Sequence, residues 1–84
     1  MSSVRTKVVV LGSTGSIGTN TLDVVARHSE RFEVFALTAA QSVETIWRQC
    51  VQFHPRIAVM AQADAGRKLQ ELCQREGLST HVLW

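Results

Sequence analysis

The sequence contains no tyrosine, one proline and two cysteines, and its apolar runs are short. Cys50 and Cys73 form no CxxC motif and lack the spacing of a metal site, so they indicate buried thiols in a reducing cytoplasm rather than a disulfide scaffold. Runs such as Val8 to Leu11 are too short for a membrane span or for the core of a signal peptide. Nine basic residues balance seven acidic ones and are scattered, which argues against a nucleic-acid-binding surface.

The chain is nevertheless rich enough in apolar residues to fold. Of its 84 residues, 45% are hydrophobic and 19% are charged. This balance predicts one small packed domain and excludes a disordered chain. The same length excludes a complete two-substrate dehydrogenase, which needs more than one domain of this size.

Apolar segments alternate with segments of helical period along the whole chain. Runs of β-branched and apolar residues predict four strands, at Lys7–Leu11, Phe32–Thr38, Arg56–Met60 and Thr80–Leu83. Apolar stripes at helical spacing predict three helices, at Ser16 to about His28, Val43–Phe53 and about Asp64 to Glu76. The order is therefore β-α-β-α-β-α-β.

This alternation is typical of an α/β fold with a parallel sheet, right-handed crossovers and helices on both faces. We expect a Rossmann-like, doubly wound sheet with the strands in the spatial order 3-2-1-4. A chain that stops on a strand would leave an unpaired sheet edge. Residues 1–84 are therefore predicted to be a truncated, partial nucleotide-binding domain.

A glycine-rich turn, Gly12 to Gly18, joins the first strand to the first helix with the spacing GxxGxxG. Gly12 would allow a sharp departure from the strand, and Gly15 would let the backbone approach a pyrophosphate without a Cβ in the way. Gly18 would let the helix pack closely on the sheet. A plain tight turn is the alternative, but the strand–turn–helix context favours phosphate binding.

Further groups in this turn are suited to an anion. Backbone N–H groups from about Thr14 to Ile17 lie at a helix start, where they lack helical acceptors and where the helix dipole favours negative charge. The hydroxyls of Ser13, Thr14 and Ser16 can donate further bonds to phosphate oxygens. The predicted cofactor-binding residues of the turn are Gly12, Ser13, Thr14, Gly15, Ser16, Ile17 and Gly18.

The segment after the second strand is predicted to bind the adenine ribose. It contains Ala40, Gln41 and Ser42 but no carboxylate. NAD-specific folds place an acid there to hold the 2′-hydroxyl, and that acid would repel a 2′-phosphate. Its absence favours NADPH over NADH, with Gln41 and Ser42 as donors to the 2′-phosphate.

No group suited to catalysis or metal binding stands out elsewhere. His28, His54 and His81 have no metal-ligand spacing and no neighbouring nucleophile, and the acids fall on predicted helix surfaces, caps and turns. The sequence predicts no catalytic residue and no metal ligand in this chain.

The segment Val10 to Gly18 (VLGSTGSIG), followed by Thr21 to Val25 (TLDVV), is more specific than a general nucleotide fingerprint. It resembles the amino-terminal region of the 1-deoxy-D-xylulose 5-phosphate reductoisomerases. The similarity continues through Phe32 to Ala39 and through His54 to Met60, and so covers essentially the whole chain.

The resemblance implies an NADPH enzyme of the non-mevalonate isoprenoid pathway that isomerises and reduces deoxyxylulose phosphate to methylerythritol phosphate. It further implies Mg²⁺ or Mn²⁺, a homodimer and a cytoplasmic location. Family contacts to the cofactor match Thr14 to Ile17 and the segment Ala40 to Ser42, where the family usually has a glycine, a cation and an asparagine-like residue. Catalytic, metal-binding and C-terminal parts of the family lie beyond this sequence.

Two other functions remain open from the sequence. A short-chain reductase or sugar-nucleotide epimerase also uses a GxxGxxG turn, although its Tyr-x-x-x-Lys pair has no counterpart in a chain without tyrosine. A nucleotide-binding or dimerisation module without chemistry of its own is the alternative from another class.

Overall fold

Parallel strand pairing organises residues 4–84, which are the residues that the computed structural model describes. The first three residues of the predicted domain lie outside this range. The elements are β1 (Thr6–Val10), α1 (Ser16–Arg27), β2 (Phe32–Ala39), α2 (Val43–Phe53), β3 (Ile57–Met60), α3 (Ala63–Glu76) and β4 (His81–Leu83). The predicted alternation of strands and helices is confirmed, and each element lies close to its predicted bounds.

The parallel α/β fold is also confirmed, but the predicted place of the last strand is wrong. The sheet has the order β1-β2-β3-β4, so the fourth strand pairs with β3, with Ala58 opposite Val82, and does not lie beyond β1. The reason is the path of α3, which packs against α2, β3 and β4. The winding therefore continues in one direction instead of reversing, and the order is 4-3-2-1 rather than 3-2-1-4.

All three helices consequently lie on one face of the sheet within residues 4–84. Right-handed crossovers that step in one direction place their helices on the same side, and α2 contacts α3 while it shares a cleft with α1. The expectation of helices on both faces is not met in this range. None of the three helices combines the length and the hydrophobicity that crossing a bilayer requires.

Strand β1 shows the effect of this order on burial. Its apolar run predicts a strand covered on both faces, yet only Val10 is buried and Val9 is 55% exposed. Strand β1 pairs with β2 alone, because no strand of the described range lies on its other side. The carboxyl end of β1 is therefore held from one side only.

The core lies between the sheet and the three helices. Its largest fully buried apolar side chains are Leu37, Ile46, Cys50, Met60 and Leu69. The stripe predicted on α2 supplies two of these, and α3 ends at Gly77, which adopts the left-handed conformation (φ 73°) typical of a helix C-cap. This packing fixes α2 against β2 and α3.

The two thiols lie in this core and predict a loss of stability at alkaline pH. Burial, together with the nearby Cys73, raises the pKa of Cys50 from 9.0 to about 12, and burial raises the pKa of Cys73. The unfolded chain loses these protons at lower pH than the folded one, so the stabilisation is complete below pH 9 and is lost as pH rises towards 12. Tyrosine cannot contribute, because the sequence has none.

Urea unfolding between about pH 8 and pH 11 tests this prediction. The free energy of unfolding should fall across that range, and it should fall less steeply in Cys50→Ala, which lacks the buried thiol. Equal slopes for the two proteins would show that the thiol does not cause the effect.

Candidate cofactor-binding site

The glycine turn leaves β1 through a left-handed residue and is fastened to β2. Gly12 has φ 64°, a conformation that glycine adopts without the strain of a side chain. Its N–H donates to Thr38 Oγ1 at 2.9 Å, and the N–H of Ser13 donates to the Thr38 carbonyl at 2.8 Å. The predicted sharp departure at Gly12 is thus present, and Thr38 holds it.

The turn then opens into α1 with free donors. Gly15 is the N-cap, has extended backbone (φ −80°, ψ 172°) and donates its own N–H to the Gly12 carbonyl at 3.0 Å. Within residues 4–84, no backbone acceptor faces the N–H of Thr14, and the N–H groups of Ser16 and Ile17 belong to the first helical turn, which has none to offer. No acid stands in that first turn, so its positive end is not neutralised.

Gly18 allows a close approach, but to the turn rather than to the sheet. A Cβ at this position would meet the Gly12 carbonyl oxygen and lie 2.7 Å from Ser13 Cα. Both are backbone atoms, which cannot rotate away. The absence of a side chain at Gly18 therefore lets α1 fold back against the turn that precedes it.

The predicted residues of the turn differ in their accessibility. Gly15, Ser16 and Ile17 are exposed and Thr14 is half-buried, whereas Ser13 is fully buried. The Ser13 hydroxyl therefore has no surface from which to contact a ligand, contrary to the prediction that it donates to a phosphate. The hydroxyls of Thr14 and Ser16 keep that access.

The side chain of Gln49, on α2, contacts the glycine turn. Gln49 is 8% exposed, and its Nε2 donates to the Ser13 carbonyl at 2.8 Å. Neither Gln49 nor Thr38 was predicted from the sequence to hold the turn. One feature of the sequence could have indicated a role for Gln49. It lies three residues after Ile46, which places a polar side chain on the apolar side of an amphipathic helix.

The second predicted segment lies beside the first. Ala40, Gln41 and Ser42 are exposed and follow β2 directly, and Thr38, which clamps the glycine turn, lies at the end of the same strand. The Ala40 carbonyl accepts from the N–H of Gln62 at 3.1 Å, which ties this segment to the loop after β3. Parallel pairing thus brings both predicted segments to the carboxyl edge of the sheet, where open α/β sheets bind ligands.

The charged residues next to this edge are paired. Arg48 of α2 forms an ion pair with Glu44, and Arg67 of α3 forms one with Asp64 at 2.8 Å. Both pairs are exposed, so each contributes little and can be broken by a stronger partner. Ser42 is the N-cap residue of α2, but its side chain makes no capping bond, which leaves its hydroxyl available.

The same edge holds no metal centre. Among residues 4–84, no group of three or more His, Cys, Asp and Glu side chains is arranged to hold an ion. A cavity of about 400 Å³ lies instead near the amino ends of the strands, where Arg5, Glu33 and His54 contribute to its lining. It lies at the opposite end of the strands from the glycine turn.

A known protein family matches most of the chain. The family profile of 1-deoxy-D-xylulose 5-phosphate reductoisomerase matches residues 8–84. The chain belongs to this family. A reductoisomerase from Nitrosospira multiformis is 54% identical over all 84 residues, and one from a Janthinobacterium species is 50% identical over 90% of the chain.

Solved reductoisomerase structures share the fold. The enzyme from Zymomonas mobilis in complex with NADPH superimposes with a TM-score of 0.88 and 34% identity over 95% of this chain, which is 21% of that protein. A complex with NADPH, fosmidomycin and magnesium superimposes with a TM-score of 0.87 and 31% identity over 93% of this chain, which is 19% of that protein. This chain likewise spans about a fifth of the two curated reductoisomerases.

Gly18 and Gly15 should differ in the stability that the protein loses when a methyl group is added, because the space around the two residues differs. Gly18→Ala should lower the free energy of unfolding by about 1–3 kcal/mol, because backbone atoms would have to move. Gly15→Ala meets only the Gly12 carbonyl oxygen at 3.4 Å, an ordinary contact, and should cost less than about 1 kcal/mol. Urea unfolding of both variants measures the difference, and equal losses would contradict the close packing of α1 on the turn.

Proposed function

We propose that this chain is part of the NADPH-binding domain of a 1-deoxy-D-xylulose 5-phosphate reductoisomerase. The observation that carries the proposal is the Gly12–Gly18 turn, which leaves the N–H groups of Thr14, Ser16 and Ile17 without backbone acceptors among residues 4–84, at the start of a helix. A pyrophosphate supplies both the acceptors and the negative charge that this arrangement lacks. Two relatives of this fold were solved with NADPH, which supports the same cofactor here.

The turn binds the pyrophosphate mainly through its backbone. The exposed glycine at position 15 lets phosphate oxygens approach the first turn of α1, and Thr14 and Ser16 add hydroxyl donors. Because the donors are fixed before the ligand arrives, little conformational freedom is lost on binding. Ile17, at 82% exposure, contributes its N–H while its side chain faces outward.

The segment Ala40 to Ser42 serves the adenine ribose and its 2′-phosphate. The absence of a carboxylate there removes the repulsion that would exclude NADPH. Gln41 and Ser42 supply neutral donors where the sequence has no cation, and the first turn of α2 adds its dipole. These donors favour the 2′-phosphate less strongly than an arginine would, so the preference rests partly on the lack of repulsion.

NADPH, once bound, supplies the hydride that reduces the rearranged deoxyxylulose phosphate. The chain's own part is to hold and orient the cofactor at the sheet edge. No group of three or more His, Cys, Asp and Glu side chains in residues 4–84 is arranged to hold the Mg²⁺ or Mn²⁺ of the reaction, so we assign the metal site to the remainder of the enzyme. Two free, buried thiols support a reducing compartment such as the cytoplasm.

Titration of the 84-residue chain with NADPH, followed by nicotinamide fluorescence, tests the proposal. The chain should bind NADPH and should bind ATP more weakly, because ATP lacks the 2′-phosphate and the nicotinamide half. Gly15→Val should weaken NADPH binding by more than about tenfold, because the side chain covers the path of the pyrophosphate, while the circular dichroism spectrum stays unchanged. Undiminished affinity in a folded Gly15→Val variant would contradict the phosphate cradle.

The 2′-phosphate assignment is tested by a change of charge at one position. The unaltered chain should prefer NADPH to NADH, and Gln41→Asp should shift the preference towards NADH, because a carboxylate holds a 2′-hydroxyl and repels a 2′-phosphate. Ser29→Asp adds the same charge at an exposed position near the amino ends of the strands and should leave the preference unchanged. Parallel shifts in both variants would show a general effect of charge.

A further inference from the structure

We infer that Gln49 is a positioning residue for the cofactor, and that it acts by orienting one peptide group of the glycine turn. This inference rests on the proposed function, because it concerns the turn that is assigned to the pyrophosphate. Gln49 lies on α2 and is remote in sequence from the turn, yet its side-chain Nε2 reaches the Ser13 carbonyl at 2.8 Å. The family comparisons assign no role to this residue.

The orientation follows from the planarity of the peptide bond. The Ser13 carbonyl and the Thr14 N–H belong to one trans peptide group, so they point in opposite directions. Gln49 draws the carbonyl inward, into the buried space beneath the turn. The Thr14 N–H must then point outward, to the side from which a pyrophosphate approaches.

The identity of the side-chain atom is fixed by chemistry. A carbonyl oxygen cannot donate, so the amide nitrogen of Gln49 and not Oε1 must face the Ser13 carbonyl. That leaves Gln49 Oε1 buried and without a hydrogen-bond partner in the described residues, as is the Ser13 hydroxyl. An unpaired buried acceptor is unfavourable and offsets part of what the bond to Ser13 contributes.

The unfavourable burial of the unpaired Oε1 distinguishes an orienting role of Gln49 from a purely structural one. If Gln49 served stability alone, an apolar side chain of similar size would fill the position without an unpaired Oε1. The orienting role instead requires a donor that reaches the turn from α2. A change at Gln49 should therefore reduce cofactor affinity more than it reduces stability.

The direct test is Gln49→Met, which keeps the length of the side chain but removes the donor. The Kd for NADPH should rise about tenfold, because the peptide between Ser13 and Thr14 is free to turn its N–H away. Gln52→Met is the matched control, since it makes the same change one turn further along the same helix, at an exposed side chain, and its Kd should equal that of the unaltered chain. Thermal unfolding of all three proteins supplies the comparison with stability.

The kinetic test uses a chimaera in which residues 1–84 replace the matching segment of the Nitrosospira multiformis reductoisomerase. In this enzyme Gln49→Met should raise the KM for NADPH and leave kcat nearly unchanged, because the bound cofactor still reaches the substrate. An equal loss in kcat, or unchanged values of both constants in a folded variant, would overturn the inference.

One measurement on the unaltered chain covers the case in which Gln49→Met does not fold. The Nε2 hydrogens of Gln49 should exchange slowly with water, as the buried bond requires, and the Thr14 amide resonance should shift when NADPH is added. Rapid exchange at Nε2, or an unmoved Thr14 resonance with NADPH bound, would overturn the inference. Failure of the unaltered chain to bind NADPH at all would instead remove the proposed function, and the inference with it.

Discussion

The attachment of the Gly12–Ser13 segment to Thr38 is the constraint on which the site depends. Strand β1 has a partner on one side only in residues 4–84, so the chain that leaves it has few neighbours to hold it. Two hydrogen bonds from this segment end on the backbone and side chain of Thr38. They fix where the turn starts, and the register of β1 against β2 fixes where Thr38 stands.

Three further residues shape the turn once Thr38 holds its start. Gly12 supplies the left-handed bend, Gly18 lets α1 close against the turn, and Gln49 holds the carbonyl of Ser13 inward. What is left over is a row of N–H groups without acceptors, and these are the groups that an anion can use. Polar groups of the turn are thus divided into those that build it and those that remain for a ligand.

Much of this was predictable from the sequence, because the signals were local. Glycine spacing predicted the turn, and helical spacing predicted α2 from Val43 to Phe53. The place of β4 was not predictable, since the order of strands depends on the face to which α3 packs and not on any pattern within it. Thr38 and Gln49 were missed for a similar reason: each acts on residues distant in the chain, and only the fold brings them to the turn.

Amide hydrogen exchange of the 84-residue chain tests the central claim most directly, because it reports the two classes of turn donors separately. Without cofactor, the amides of Gly12 and Ser13 should be protected by their bonds to Thr38, while those of Thr14, Ser16 and Ile17 should exchange rapidly. NADPH should slow the second group and leave the first unchanged. Rapid exchange at Gly12 and Ser13 before NADPH is added would show that the turn is not built in advance, and would contradict this account.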